Sequence, residues 1–263
     1  MQPEIHLGPL TLQTFGIMFA LGFVAAGLLV AKRLRELGKP VDWAYELIFA
    51  GLIGGIVGSR LDFMLENWDE VSGDLLGNLF SGSGLVWYGG AIGGAIGVLL
   101  WARYRGMLNL TLLDVCAPAL AIGYAVGRIG CQLSGDGDYG QPWDGPWAMA
   151  YPEGTVPTDE TVHPTPVYEA VAMGIVTYVL WRRRDVLRPG LLFALYLVLA
   201  GAERFLVEFV RRNEDLALGL TQAQLLSVAM ILAGGAWLTI AARRDGLLRS
   251  SATGLRRSEP TSP

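Results

Sequence analysis

The chain has 263 residues, of which 52% are hydrophobic and 17% are charged, and its formal net charge is −4. Soluble globular domains are about 45–50% apolar and about 25% charged, so this composition predicts a polytopic membrane protein. Disorder, a collagen-like fibre and a disulfide scaffold are excluded, the last because the chain has only 2 cysteines, and the negative charge argues against a nucleic-acid partner.

Seven segments are apolar enough to be membrane spans, because a spanning helix needs about 20 mostly apolar residues. We therefore predict an all-α fold with seven transmembrane helices. In chain order, the segments are 11–31, 44–65, 85–104, 111–131, 166–181, 190–210 and 222–242. The first is expected to be a retained anchor and not a signal peptide, since no Lys or Arg precedes it and Lys32 and Arg33 follow it.

The second and third segments carry many glycines at helical spacing. They are Gly51, Gly54, Gly55 and Gly58 in the second segment, and Gly89, Gly90, Gly93, Gly94 and Gly97 in the third. Small residues at this spacing let two helices approach closely. We interpret both faces as packing surfaces.

The distribution of Lys and Arg predicts the orientation of the helices. Alternate connections are rich in these residues, whereas the loops 66–84 and 132–165 contain none and are acidic. The N-terminus is therefore expected outside and the C-terminus in the cytoplasm. Residues 1–245 would form one transmembrane domain, and the Ser-, Arg- and Pro-rich residues 246–263 a disordered cytoplasmic tail.

Three arginines, Arg60, Arg128 and Arg204, lie inside predicted spans. Their segments all run from inside to outside, so a rise of about 1.5 Å per residue places all three in the outer half of the bilayer. An arginine at the bilayer centre costs about 2.5–3.5 kcal/mol, which suggests that three at similar depth share one purpose. A guanidinium is planar, permanently charged and suited to phosphate, so we predict a site for a phospholipid head group.

A purely structural role is the alternative, in which each of these arginines pairs with a carboxylate. The nearest acids in the sequence are Asp62 for Arg60, Asp136 for Arg128 and Glu208, at i,i+4, for Arg204. Arg211 and Arg212 at the outer end of the sixth segment break the positive-inside pattern.

Beyond Arg128 the chain leaves the fourth segment through a run of glycine and polar residues that ends at Gly140. Irregular backbone at membrane depth is tolerated only where it is buried in protein or lines a wet cavity. Asp136 and Asp138 have the spacing of a calcium loop, but the rest of the twelve-residue pattern is missing, so no metal site is predicted.

A histidine precedes the fifth segment in the run from His163 to Glu169. It either orients the outer loop or titrates near the chemistry, since histidine changes charge near neutral pH. Glu169 is expected just inside the outer interface.

At these residues the chain resembles the prolipoprotein diacylglyceryl transferase family. The more specific matches are Gly127-Arg128-Ile129-Gly130 and His163-Pro164-Thr165, the latter followed by Tyr168-Glu169. Further matching runs, which extend the similarity over most of the chain, are 12–18, 58–61, 84–90, 114–118 and 204–209.

The resemblance implies an enzyme of the bacterial cytoplasmic (inner) membrane. It would take the diacylglyceryl group from phosphatidylglycerol in the outer leaflet and place it on the lipobox cysteine thiol of a prolipoprotein signal peptide. Glycerol phosphate would leave and a thioether would form. The implied partners are thus a phospholipid and a preprotein, and no metal or organic cofactor is implied.

The resemblance also assigns roles. Arg128 and Arg204 are expected to grip the phosphodiester and stabilise charge on the departing phosphate, while Arg60 helps to hold the head group. The expected catalytic residues are Arg128, Arg204, Tyr88, Asp136 and His163. The expected substrate-binding residues are Arg128, Arg60, Gly130, Cys131 and Glu208.

The chain departs from the family pattern at two of these positions. Members commonly carry histidine where this chain has Tyr88, and asparagine where it has Cys131. A neutral tyrosine, with a pKa of about 10, is a poor base, although it can donate a hydrogen bond to phosphate. Asp136 and His163 are therefore the alternative acceptors for the thiol proton.

Other readings remain open from the sequence. The same arginines would suit a transporter or a binding protein for an anionic solute or lipid, and a divergent inactive family member is a further alternative. A transporter often shows interrupted helices in both halves, whereas this chain has one interrupted stretch, near 128–140. Its intramembrane charges stop in the outer half, apart from Asp114 near the inner end.

Overall fold

The computed structural model describes residues 1–68, 86–244 and 246–249, and helices occupy all seven predicted places within them. They are α1 (Thr14–Glu36), α2 (Trp43–Glu66), α3 (Trp87–Tyr104), α4 (Leu110–Ser134), α5 (Thr165–Arg183), α6 (Leu191–Val207) and α7 (Gln222–Arg244). A 3₁₀ turn, Glu208–Val210, continues α6. Among the described helices, α1, α2, α4 and α7 are long and apolar enough to cross a membrane, by length and composition.

In the described part of the chain, three short antiparallel hairpins, which the hydrophobic pattern did not predict, precede α1 or lie between helices. They are β1 (Glu4–Leu7) with β2 (Leu10–Gln13), β3 (Met149–Tyr151) with β4 (Thr158–Val162), and β5 (Asp215–Ala217) with β6 (Leu220–Thr221). Backbone hydrogen bonds connect residues near these hairpins to one another. Gln2 N donates to Leu133 O at 3.1 Å, and Gln141 N donates to Val210 O at 2.8 Å. The start of α1 and the ends of α4 and α6 thus lie together, at what we call the hairpin end.

The α2–α3 pair shows why its glycines are needed. A Cβ built on Gly93 would lie 2.2 Å from the carbonyl oxygen of Gly54 and 2.7 Å from the Cα of Gly58. The backbones are therefore in direct contact, which confirms the predicted packing faces. Near the start of α3, the Asp62 carboxylate accepts a 2.8 Å hydrogen bond from Gly89 N.

Two apolar clusters fill the rest of the bundle. One joins α1, α2, α3 and α4, and its most buried members include Val30, Leu34, Ala102, Leu112 and Val115. The other joins α4, α5 and α6, through Ala117, Ala121, Met173, Leu180 and Leu192. Because α4 belongs to both clusters, it is the central helix that positions the site described below.

The opposite end of the bundle is held by polar contacts. The buried Asp114 carboxylate of α4 accepts hydrogen bonds from Gly190 N at 2.8 Å and Phe193 N at 3.1 Å. These amides belong to the first turn of α6, where backbone donors lack partners within the helix. Asp114 therefore caps a neighbouring helix, which accounts for this isolated acid in an apolar segment.

A short segment after α7 returns to the α5–α6 connection. Arg188 N donates to Leu247 O at 3.1 Å, and Arg249 N donates to Val186 O at 2.9 Å. Residues 247–249 thus pair with the α5–α6 connection. The remainder of the predicted tail and most of the predicted loop 66–84 lie outside the described residues.

Candidate functional site

Glu169 lies at the centre of the site. It falls in the second turn of α5, after the helix entry at Pro164 and Thr165, and its side chain is 0% exposed. Oε1 accepts hydrogen bonds from Tyr124 Oη of α4 and Arg204 Nη1 of α6, both at 2.9 Å. Oε2 lies 3.2 Å from Arg128 Nε. This one carboxylate therefore links α4, α5 and α6.

A second carboxylate approaches the same arginines from the loop after α4. Gly135, with φ of +59°, ends α4 in the left-handed conformation and lets the chain turn back. Asp138 then forms an ion pair with Arg128 Nη1 and accepts a 2.5 Å hydrogen bond from Arg211 Nη2. Partial burial acts to raise the pKa of Asp138, but the Arg128 and Arg211 guanidiniums outweigh it and hold that pKa below its ordinary value.

Glu208 completes the arrangement one turn after Arg204. Its Oε2 lies 2.9 Å from Arg204 Nη2, so the pairing suggested by the i,i+4 spacing is confirmed. Its Oε1 accepts hydrogen bonds from Thr221 Oγ1 at 2.8 Å and Asn213 Nδ2 at 2.6 Å. Glu208 thus ties the end of α6 to the start of α7.

These contacts form an ionic cluster of three arginines and three carboxylates: Arg128, Arg204, Arg211, Asp138, Glu169 and Glu208. Its formal charges cancel, and each carboxylate faces at least two of the guanidiniums. A buried charge is stable only when it is paired and hydrogen-bonded, and here the pairing holds every guanidinium in place.

Two guanidinium nitrogens of the cluster can still donate hydrogen bonds to a ligand. Arg128 bonds through Nε and Nη1, and Arg204 through Nη1 and Nη2. Among the residues that the structure describes, Nη2 of Arg128 and Nε of Arg204 have no hydrogen-bond partner. Guanidinium N–H groups are strong donors to phosphate oxygens, so an oxyanion at this place would meet oriented donors.

The structure brings together two of the three arginines that the sequence singled out. The third, Arg60, lies on α2, is 5% exposed and is not a member of the ionic cluster. Tyr88 lies at the start of α3, where it is 38% exposed. The sequence did not single out Arg211 as a site residue, although its break of the positive-inside pattern was a usable signal.

Asp136 and His163 lie beside the cluster. Asp136 Oδ1 accepts a 3.3 Å hydrogen bond from the backbone N of Asp138. The His163 ring stacks on Trp143, with centroids 4.3 Å apart, and its Nδ1 is 3.3 Å from Tyr168 Oη. Neither side chain pairs with an arginine among the described residues.

Gly130 and Cys131 face different neighbours. A Cβ built on Gly130 would lie 2.9 Å from Met18 Cβ, so this glycine admits α1 against α4. The buried Cys131 Sγ lies 3.7 Å from Arg128 Nη1, and its ligand atom is within 4.8 Å of those of Asp136 and Asp138. Because the Arg128 guanidinium already contacts this thiol and Asp138, a cation here would meet a like charge.

Comparisons with known proteins identify the family of the chain. A family model described as "Prolipoprotein diacylglyceryl transferase" matches residues 3–240. Three relatives carry the name phosphatidylglycerol–prolipoprotein diacylglyceryl transferase. That of Chromohalobacter salexigens is 37% identical over 241 residues, covering 88% of this chain and 88% of its own. That of Bordetella avium is 34% identical over 254 residues, covering 92% and 94%. That of Leptospira interrogans is 32% identical over 228 residues, covering 76% and 72%. The chain, matched over nearly its whole length, belongs to the prolipoprotein diacylglyceryl transferase family.

Proposed function

We propose that this chain transfers the diacylglyceryl group of phosphatidylglycerol to the lipobox cysteine thiol of prolipoproteins. The observation that carries the proposal is the placement of Arg128 and Arg204 on either side of the buried Glu169. Two guanidiniums held in this way suit a phosphodiester, and the names of the relatives supply the lipid and the protein substrate.

In the proposed reaction, the phosphodiester of the lipid lies against Nη2 of Arg128 and Nε of Arg204. The cysteine sulfur attacks the glyceryl carbon that carries the phosphate oxygen. A carbon–sulfur bond forms, the carbon–oxygen bond breaks, and glycerol phosphate leaves. Negative charge grows on the departing phosphate, and donors that are already oriented stabilise it without further reorganisation.

The paired carboxylates explain how three arginines are tolerated at this depth. Unpaired arginines within a span are costly, whereas the cluster as a whole is formally neutral. A phosphate that binds to the remaining donors does not need to displace Glu169. The carboxylates therefore act as positioning residues for the arginines.

For five of the other site residues, the proposal keeps a role in binding the substrate or in shaping its site. Tyr88 would donate a hydrogen bond to the head group, and Arg60 would hold the lipid or the α2–α3 pair around it. Gly130 would let α1 pack against α4 beside the substrate, Cys131 would line the substrate path next to Arg128, and Glu208 would orient Arg204.

We further propose that all seven helices span the bacterial cytoplasmic membrane, with the N-terminus and the hairpin end outside. The Lys- and Arg-rich connections support this orientation, since they lie at the opposite end, where Arg105 and Arg184 pair with Glu46 and Glu36. The ionic cluster would then face the outer leaflet, on the side where a secreted preprotein emerges.

The test uses the purified protein, phosphatidylglycerol vesicles and a lipobox peptide. We expect the cysteine of the peptide to gain the mass of a diacylglyceryl group, with glycerol phosphate released in equal amount. A peptide with serine in place of cysteine, and vesicles of phosphatidylethanolamine alone, serve as controls and should give no product. Folded protein that leaves the cysteine peptide unmodified in phosphatidylglycerol would refute the proposal.

A further inference from the structure

One half-buried acid beside the ionic cluster takes no part in its ion pairs. Glu203 immediately precedes Arg204 on α6. Two enclosed side-chain oxygens lack a hydrogen-bond partner among the described residues, Glu203 Oε1 and Glu208 Oε2. The second lies 2.9 Å from a guanidinium nitrogen of Arg204. Glu203 Oε1 has no such ion pair with any residue that the structure describes.

Because Glu203 directly precedes Arg204 on α6, it lies next to the proposed site for phosphate, and six titratable or charged groups lie within electrostatic range of it. They are Tyr124 and Arg128 from α4, Glu169 from α5, Tyr196 and Arg204 from α6, and Arg211 from the connection after α6. Glu203 is therefore within electrostatic range of the cluster and of two tyrosines, while its Oε1 has no hydrogen-bond partner among the described residues.

The proposed reaction requires a base. A cysteine thiol with a pKa of about 8.5 is mostly protonated at pH 7, and the thiolate is the nucleophile. Of the acceptors expected from the sequence, Tyr88 is a neutral phenol and a weak base. The Asp136 carboxylate and the His163 ring already have hydrogen-bond partners. The carboxylate oxygens of Asp138, Glu169 and Glu208 already accept contacts from guanidiniums, whereas Glu203 Oε1 is an unused acceptor.

We propose that Glu203 is the proton acceptor for the substrate thiol, an inference that rests on the function proposed above. The S–H proton passes to the Glu203 carboxylate, and the sulfur electron pair forms the new carbon–sulfur bond. The carbon–oxygen electron pair leaves with glycerol phosphate, which then takes the proton back from Glu203. Atoms and charge balance with no further reactant.

The test compares two lipobox peptides, one with cysteine and one with selenocysteine at the acceptor position. A selenol is a stronger acid than a thiol and is ionised at neutral pH, so it needs no base. With the Glu203→Gln variant, kcat for the cysteine peptide at pH 7 should fall by about 10²-fold or more, the usual contribution of a general base. With the selenocysteine peptide, kcat of the variant should stay within about threefold of kcat of the unmodified protein for the same peptide.

The ratio of the two rates does not depend on how much of the variant folds, so it separates a base from a structural residue. Glu214→Gln, which removes an exposed acid in the connection after α6, is the matched control and should change neither rate. Equal losses with both peptides, or no loss with cysteine, would overturn the role of Glu203. If the unmodified protein modifies neither peptide, the proposed function itself fails.

Discussion

At the scale of single residues, the site depends on carboxylates that hold arginines. Glu169 is fully buried and lies within 3.4 Å of guanidinium nitrogens from Arg128, Arg204 and Arg211. An ionised carboxylate without partners at such a place would be strongly destabilising. The cluster is therefore interdependent, and the loss of one member leaves another uncompensated charge.

Asp138 makes this dependence measurable as a function of pH. The Arg128 and Arg211 guanidiniums hold its pKa in the folded state below the value of about 3.9 expected in the unfolded chain. Its contribution to stability is thus fully present above about pH 4 and is lost as the pH falls through the lower folded pKa. Asp138→Asn should lower stability at pH 7 by about 1.5–3 kcal/mol, the contribution of a hydrogen bond to a charged group.

Thermal unfolding in detergent, followed between pH 3 and 7, tests this expectation for Asp138. The difference in Tm between the unmodified protein and Asp138→Asn should be constant from about pH 5 to 7 and shrink below about pH 4. Asp159→Asn, which changes an exposed acid of β4, should show no such pattern. A difference that grows in acid would contradict the proposed pairing.

The sequence predicted part of this cluster because charged residues in apolar segments are conspicuous. Arg128 and Arg204 were identified in that way, and Glu208 by its helical spacing from Arg204. Asp138 and Arg211 were not paired in advance, since 73 residues separate them and no local periodicity reports such a contact. Glu203 was missed because its proposed role follows from the lack of a hydrogen-bond partner for Oε1 among the described residues, which only the structure reveals.

At the scale of elements, apolar length and small-residue spacing determine most of the bundle. The seven described helices were predicted to within five residues of their observed ends, and the glycine faces of α2 and α3 are close packing surfaces, as expected. The hairpins were not predicted, because β3 to β6 are 2 to 5 residues long and carry little periodic signal. Asp114 was visible as an isolated acid, but its capping of α6 depends on tertiary contact.

The α2–α3 contact gives a matched pair of glycine substitutions. Gly93→Ala would place a Cβ 2.2 Å from Gly54 O, so the helices must separate. We expect a loss of about 1–3 kcal/mol, as for other overpacked contacts. Gly174→Ala on α5 meets no atom within 4 Å and should be neutral or stabilising by up to about 1 kcal/mol.

Thermal unfolding of the two alanine variants in the same detergent compares them directly. The transfer rate should fall with Gly93→Ala as well, because α3 carries Tyr88 at its first turn. If Gly93→Ala is as stable as the unmodified protein, the close backbone approach of α2 and α3 is wrong.

At the scale of the whole molecule, the polar groups at the two ends of the bundle are arranged differently. The hairpin end holds the ionic cluster, with unused guanidinium donors and an unpaired carboxylate among the described residues. The opposite end holds ion pairs such as that of Arg105 with Glu46, and the Asp114 cap. Asp114 and Arg128 are 14 positions apart on α4, about 21 Å at about 1.5 Å per residue. Chemistry on the lipid is therefore expected at one end only.

The most direct measurement compares one arginine from each end. The rate of diacylglyceryl transfer to a lipobox peptide would be measured for Arg128→Ala and Arg105→Ala, each checked for folding by thermal unfolding. Arg128→Ala should lose about 10²–10³-fold in kcat, as when one donor to a developing oxyanion is removed. Arg105→Ala, which removes a paired arginine far from the cluster, should stay within about twofold of the unmodified protein. A folded Arg128→Ala variant that keeps the full transfer rate would contradict the role of Arg128 as a donor to the departing phosphate.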